Sequence, residues 1–481
     1  MDRELRVYID IARQPVLVGR LWARERNGRE TSTFVYDEGW LKRPDGFALA
    51  PSLMLTPGPH HSDDLFAAFT DPAPDRWGQK LMRHHERERA AKAGTEPRSL
   101  LQADFLIGVD DETRLGALRF KAADEGGYLS QTGRRVPALI ELQNLLSASD
   151  RIERGRARKG DLALLLAPAG SLGGARPKAT VRDREGRLHV AKFPWKNDDW
   201  SVILWESVAL VLARAAGIQV PEFRLQMAGA EAVLLTTRFD RRNTSDRVPF
   251  MSAMTALDAK DHDEHRSYLE LVDVVRQIGG YPEEDIRQLW RRMVFNILIS
   301  NIDDHLRNHA FLRDAKGWRL SPAYDLNPCP ADVGGRMHVL ALNEFDRTSS
   351  LETAFSVGNY FGLQPSEANT VAAEVGAAVA AWKKTADAHN IPRWEIERLE
   401  TAFEHTNLRL ALSNRLTEPP RKGKGSGKAK AGPKKRRRPG VRKDAVAPLI
   451  GRPPSWTRLL ENEAISPSHD GRPEPRPDHR L

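Results

Sequence analysis

Asp303 and Asn308 stand five residues apart in Asn301-Ile302-Asp303-Asp304-His305-Leu306-Arg307-Asn308, and Asp325 follows seventeen residues later in Tyr324-Asp325-Leu326-Asn327. Phosphoryl transfer needs a carboxylate to orient and deprotonate an acceptor hydroxyl, and side-chain oxygens to hold Mg²⁺ against the phosphates. The Asp-to-Asn spacing is that of a protein-kinase catalytic loop, which assigns Asp303 as base and Asn308 as metal ligand. Asp304, four residues from the asparagine, would point elsewhere on a tight loop. Asp325 comes after an expected hairpin, with strands at 310–312 and 318–320 and a turn at 314–317, where a kinase places its main metal-binding carboxylate. Taken alone, the 301–308 cluster also describes a helix end and a solvated loop; Asp325 weighs against that. His305 either touches phosphate or orients the loop.

The same chemistry needs a glycine-rich turn that lets phosphates approach the backbone and a lysine on the neighbouring strand to pair with them. Ser171-Leu172-Gly173-Gly174-Ala175-Arg176-Pro177-Lys178 supplies the turn, and Lys192 in Val190-Ala191-Lys192-Phe193-Pro194 the lysine. A Gly-Gly pair also marks plain turns, and a strand lysine often faces solvent. Glu206, fourteen residues past Lys192, either pairs with it or is a solvated helix glutamate. Thr236-Thr237-Arg238-Phe239-Asp240-Arg241 ends an expected strand where a connection between two lobes would present backbone groups to an adenine ring. Zinc is disfavoured: His262, Asp263 and His265 lack a third and fourth ligand at suitable spacing.

These residues need elements to hold them. Short alternating runs with Asn27-Gly28 between them predict a small antiparallel sheet in the first fifty residues. Helical patterning follows from Asp64, through Pro74-Asp75-Arg76-Trp77-Gly78, to a second helix ending near Gly108, and strand character returns at 116–120. This predicts a mixed subdomain over 1–125. A helix at 137–154, strands near 171–181, 188–193 and 231–239, and an amphipathic helix at 201–216 predict a kinase-like small lobe over 126–243. Helical periodicity at 268–279, 285–300 and 352–405 predicts a mostly α large lobe over 244–416.

The chain has 481 residues, 40% hydrophobic and 7% aromatic, enough for several cores. Its net charge of +9 is local: residues 421–443 hold about twelve Lys and Arg and no acid, which leaves the rest at about −3. Residues 417–481, rich in Lys, Arg, Gly, Pro and Ser, are expected to be a disordered basic tail. A single cysteine, Cys329, fits a reducing cytoplasm. The N-terminus lacks a secretory apolar stretch and no apolar run approaches membrane-spanning length, so a soluble, cytoplasmic protein is expected with no membrane partner.

With these motifs in order, the chain resembles the HipA family of serine/threonine kinases, toxins of bacterial toxin–antitoxin pairs, over roughly residues 1–415. The resemblance is carried by Pro74-Asp75-Arg76-Trp77-Gly78, Gly116-Ala117-Leu118-Arg119-Phe120, residues 173–178, Lys192-Phe193-Pro194, Arg238-Phe239-Asp240-Arg241, residues 301–308 and Tyr324-Asp325-Leu326-Asn327. It implies an α+β, protein-kinase-like two-lobed fold with an appended N-terminal subdomain. ATP would be held by Gly173, Gly174, Ala175, Arg176, Pro177, Lys178, Lys192, Thr237, Arg238, Phe239, His305, Tyr324 and Asp325, and Mg²⁺ by Asn308 and Asp325. It further implies autophosphorylation at Ser171, where the plain alternative is a turn-capping hydroxyl; added phosphate charge there would rearrange the loop. Family substrates include aminoacyl-tRNA synthetases, and the usual antitoxin is a small helix-turn-helix DNA-binding protein. Ala175-Arg176-Pro177 departs from the more acidic and amide character of the best-known member.

Two other readings compete. Asp303, Asn308 and Asp325 would also serve a small-molecule phosphotransferase. The basic run Lys434-Lys435-Arg436-Arg437-Arg438 would give a nucleic-acid-associated protein affinity without sequence readout, and it is compatible with a kinase body that meets DNA through an antitoxin or weakly through this tail.

Overall fold

Alternating apolar residues build β1 (Arg3–Ile11), β2 (Gln14–Arg26) and β3 (Arg29–Tyr36). Asn27 and Gly28 join β2 to β3 with φ of 53° and 74°, the pair of left-handed residues that a tight hairpin requires. β4 (Pro59–Ser62) and β5 (Leu118–Lys121) complete an antiparallel sheet in the order β4-β3-β2-β1-β5. The structure, a computed structural model, describes residues 2–413 apart from 12, 123–125, 130–135, 167–173, 245, 261–262 and 264.

α1 (Arg76–Ala93) begins at the Pro-Asp-Arg-Trp-Gly motif, where Asp75 is the N-cap and its Oδ1 accepts from Gly78 N at 2.9 Å. Left-handed Gly94 stops it. Trp77 and Leu81 of α1 pack with Leu145 and Ala148 of α2 (Leu142–Glu153) against Ala179, Val181, Ala191 and Phe193, forming a second core under the next sheet. That sheet is antiparallel, in the order β6-β7-β9-β8: β6 (Lys178–Arg182), β7 (Leu188–Lys192), β8 (Phe223–Ala228) and β9 (Glu231–Thr237). α3 (Val202–Ala215) runs between β7 and β8 in the chain and is buried along most of its length. The sequence pattern did not anticipate β8; it is an edge strand whose Arg224, Gln226 and Met227 face solvent, so its apolar signal is weak.

Beyond the short β10 (Arg241–Arg242) and β11 (Asp246–Arg247) pair, β12 (Phe250–Ser252), β13 (Ala310–Arg313) and β14 (Trp318–Leu320) form a three-stranded sheet. The expected hairpin is therefore present, with an unanticipated third strand. α4 (Tyr268–Ile278) and α5 (Pro282–Leu298) lead into the 301–308 loop. α5 starts with Pro282 at its first position, and Glu283, Glu284 and Asp285 in the first turn oppose the helix dipole. Its inner face, Leu289, Trp290, Met293 and Phe295, is fully buried, each large side chain contributing roughly 1.5–3 kcal/mol. Trp290→Ala would remove about 3–5 kcal/mol. Ser300, at φ 51°, then turns the chain off the helix axis.

One continuous core runs from Leu5 and Val7 in the first sheet, through α3 and α5, to α6 (Pro365–Val379), α7 (Arg393–Phe403) and Ala411. Residues Met1–Pro420 form a single unit. The 1–125 segment thus shares its core with the helical half instead of enclosing one of its own. Among the described residues no helix is long and apolar enough to cross a membrane.

Candidate active site

Lys192 ends β7, and Glu206 sits on the inner face of α3. Lys192 Nζ donates to Glu206 Oε1 at 2.6 Å and to Asp325 Oδ1 at 2.9 Å. Glu206 is therefore paired, which the sequence left open. Lys192 and Glu206 are withdrawn from solvent and Asp325 is partly so, and an ion pair in such a place persists only if each charge is answered. Burial works against the Lys192 ammonium, but Asp325 and Glu206 hold it protonated well above its ordinary range. Burial likewise opposes the Asp325 carboxylate, and Lys192, with Lys178 and His305 beyond, keeps it well below.

Asp303 and Asp304 are adjacent and do different work. Asp304 is buried; its Oδ2 accepts from the Tyr268 hydroxyl and lies 3.0 Å from His309 Nε2. Burial opposes its charge, yet His309 and these bonds keep the carboxyl below the usual range. Asp304 is engaged in fixing the loop. Asp303, in contrast, is exposed. Partial desolvation raises its carboxyl, against His305 and with Asp325 and Asp304 adding repulsion, a direction that suits a base.

Asn308 Nδ2 donates to the Asp303 carbonyl at 3.2 Å, while its Oδ1 is buried with no hydrogen-bond partner among the described residues. Asn327 repeats the pattern: Nδ2 lies 3.3 Å from Asp325 Oδ1, and its own Oδ1 is buried and unpartnered. A buried amide oxygen without a donor costs free energy unless something else satisfies it. Two such oxygens beside a carboxylate fit a hard, oxygen-seeking cation such as Mg²⁺. Asp325 itself adopts a left-handed backbone at φ 60°, a strained position for a residue with a Cβ. His305 Nδ1 is also buried without a partner among the described residues.

Val190, Leu210, Pro221, Thr236, Thr237 and Phe239 line an apolar pocket that has Lys192, Glu206 and Asp325 at its polar end. Tyr324 closes one side, its ring 5.6 Å from that of Phe239 and its hydroxyl donating to the Arg307 carbonyl at 2.6 Å. The space within is about 20 Å³, room for one water. Arg238 also lines the pocket. Its buried guanidinium turns away, donating to the carbonyls of Thr113 at 2.6 Å and Arg114 at 3.1 Å and to Asp240.

In the glycine-rich segment, Arg176 is tied to Asp198, Pro177 accepts from Phe193 N at 3.0 Å, Ala175 is exposed, and Lys178 bonds Gly174 O at 2.8 Å. Lys178 also meets Asp75 at 2.8 Å, a contact sequence reading missed because its partner lies 103 residues away. Roles for Asn327, Asp304 and Asn301 were likewise not read. Asn301 Oδ1 accepts from Asn327 N at 3.4 Å, joining the two loops. Ser171 and Gly173 lie outside the described residues.

A strand lysine paired to a helix glutamate, above a loop carrying a free aspartate and an orphaned asparagine oxygen, is the arrangement of the kinase class. The HipA N-terminal domain matches residues 9–110 and the HipA-like C-terminal domain residues 170–382, together about two-thirds of the sequence. The chain belongs to the HipA family. It is 25% identical over 321 residues, 61% of this chain and 71% of the other, to a Sinorhizobium fredii protein named "Putative kinase Y4mE". In fold it is similar to a chain of the Shewanella oneidensis MR-1 toxin–antitoxin complex of HipA, HipB and operator DNA. That match has a TM-score of 0.60 and 15% identity, and covers 85% of this chain and 96% of the other.

Proposed function

We propose that the protein is an ATP- and Mg²⁺-dependent serine/threonine protein kinase acting as the toxin of a toxin–antitoxin pair. The observation that supports this most is the Lys192 bridge to Glu206 and Asp325, with the unpartnered Asn308 oxygen beside it. ATP enters with its adenine against Thr237, Arg238 and Phe239 and its phosphates toward Lys178, Lys192 and His305. Asn308, Asp325 and Asn327 would hold Mg²⁺, which when bound neutralises charge on the β- and γ-phosphates. Asp303 accepts the proton of the acceptor hydroxyl as that oxygen bonds to the γ-phosphorus; the bond to the β–γ bridging oxygen breaks and ADP leaves.

The acceptor class is a protein hydroxyl, an aminoacyl-tRNA synthetase being the substrate that the family suggests, with Ser171 as an autophosphorylation site. A small DNA-binding antitoxin is the partner, since the similar Shewanella complex contains HipB and operator DNA. Incubation of the full chain with γ-labelled ATP and Mg²⁺, with and without cell lysate, tests the reading. Label should enter protein in wild type and not in Lys192→Ala. Label confined to small molecules would replace the protein acceptor with a metabolite, and no transfer with no ATP binding would overturn the kinase.

A further inference from the structure

A cavity of about 460 Å³ opens at the Leu188 end of β7, between the first sheet and the small lobe. Six arginines line it: Arg13, Arg119, Arg182, Arg241, Arg242 and Arg247. Three carboxylates also reach its wall, Asp10, Glu112 and Asp246. Each is already committed. Asp246 pairs with Arg13, Glu112 with Arg182, and Asp10 with Arg119 at 3.2 Å. Asp111 and Asp240, just beneath, take Arg119 at 2.6 Å, Arg247 at 3.2 Å and Arg241 at 2.7 Å.

Positive charge is left over. The exposed side chain of Arg242 makes no hydrogen bond or ion pair among the described residues. Arg247 has a side chain only 8% exposed, and its Nη1 is buried without a partner among the described residues. Burial lowers Arg241 to about 9 despite Asp240, with Arg238 and Arg247 repelling it. A buried guanidinium with an unanswered N–H is costly, and an anion would relieve it. The space is also ligand-sized.

We propose that this cavity binds a small phosphate-bearing anion, held by the Arg182, Arg242 and Arg247 guanidiniums. Planar guanidiniums bond phosphate oxygens in pairs, which favours phosphate over halide or a lone carboxylate. A bound anion bridges Arg182 of the small sheet to Arg242 and Arg247 of the β10–β11 pair, a few residues beyond Thr237-Arg238-Phe239. The site is independent of the kinase reading and shares no residue with the Lys192 pocket.

Calorimetry of the full chain with inorganic tripolyphosphate, without divalent cation and at about 150 mM salt to screen the basic run at 421–443, tests it. Wild type should bind about one equivalent. Arg242→Ala, an exposed change that leaves the fold intact, and Arg182→Ala should each weaken binding about tenfold. Failure of wild type to bind overturns the proposal. So does an affinity unchanged in both variants, which would place the anion on the basic run or in the nucleotide cleft.

Discussion

Lys178 and Asp75 meet at 2.8 Å across 103 residues of sequence, both side chains almost wholly buried. Trp77 Nε1 donates to the Lys178 carbonyl at 3.1 Å, so the start of α1 grips the strand that follows the glycine-rich segment at two points. The N-terminal segment is thus a structural part of the sheet that carries Lys192.

Asp75→Ala leaves Lys178 buried with only the Gly174 carbonyl and removes the cap of α1. Breaking a buried pair costs about 3–5 kcal/mol and losing a cap about 1 kcal/mol. Asp75→Asn, which keeps the cap, should lose less. Denaturant unfolding measures both, and a loss under about 1 kcal/mol for Asp75→Ala would show that the pair is dispensable.

Glu206→Gln removes the helix partner of Lys192 while Asp325 stays. Lys192 then swings between one carboxylate and the phosphates, and kcat/KM for ATP should fall about ten- to hundredfold. Unchanged kinetics would make the 2.6 Å contact incidental to catalysis.

Asn308→Ala and Asn327→Ala each remove an amide oxygen that has no hydrogen-bond partner among the described residues. Mn²⁺ binding with a non-hydrolysable ATP analogue, followed by electron paramagnetic resonance, should weaken about tenfold or more in each. Equal Mn²⁺ affinity in Asn327→Ala would restrict the ligand set to Asn308 and Asp325.

Two buried histidines give stability a pH dependence. Burial holds His338 and His405 down to about 4, below the ordinary histidine value of about 6.5. The folded state therefore keeps them neutral, and the unfolded chain binds more protons between these values. Their contribution is complete above pH 6.5 and is lost as pH falls toward 4, at most about 3 kcal/mol for each. Unfolding curves from pH 7 to 4 should show the decline, reduced in His338→Gln. A flat profile over that window would contradict it.

Local patterns made much of this legible. The 3.6-residue periodicity of α3 and α5, the Asn27-Gly28 hairpin and the 310–320 hairpin come directly from spacing, because each is stabilised within a few residues. The five-residue spacing of Asp303 and Asn308 on one loop was legible for the same reason. What stayed hidden depends on distant partners: the Lys178–Asp75 pair, the anchoring of Asp304 by Tyr268 and His309, and the turning of Arg238 toward Thr113 and Arg114. The shared core was hidden too, since periodicity shows that a face is buried but not against what.

Asp303 carries the central claim, and single-turnover transfer from labelled ATP by Asp303→Asn, with nucleotide affinity measured in parallel, tests it. Loss of a general base should slow transfer by about 10²–10⁴-fold, with ATP affinity nearly unchanged. Transfer within a few-fold of wild type would contradict the assignment.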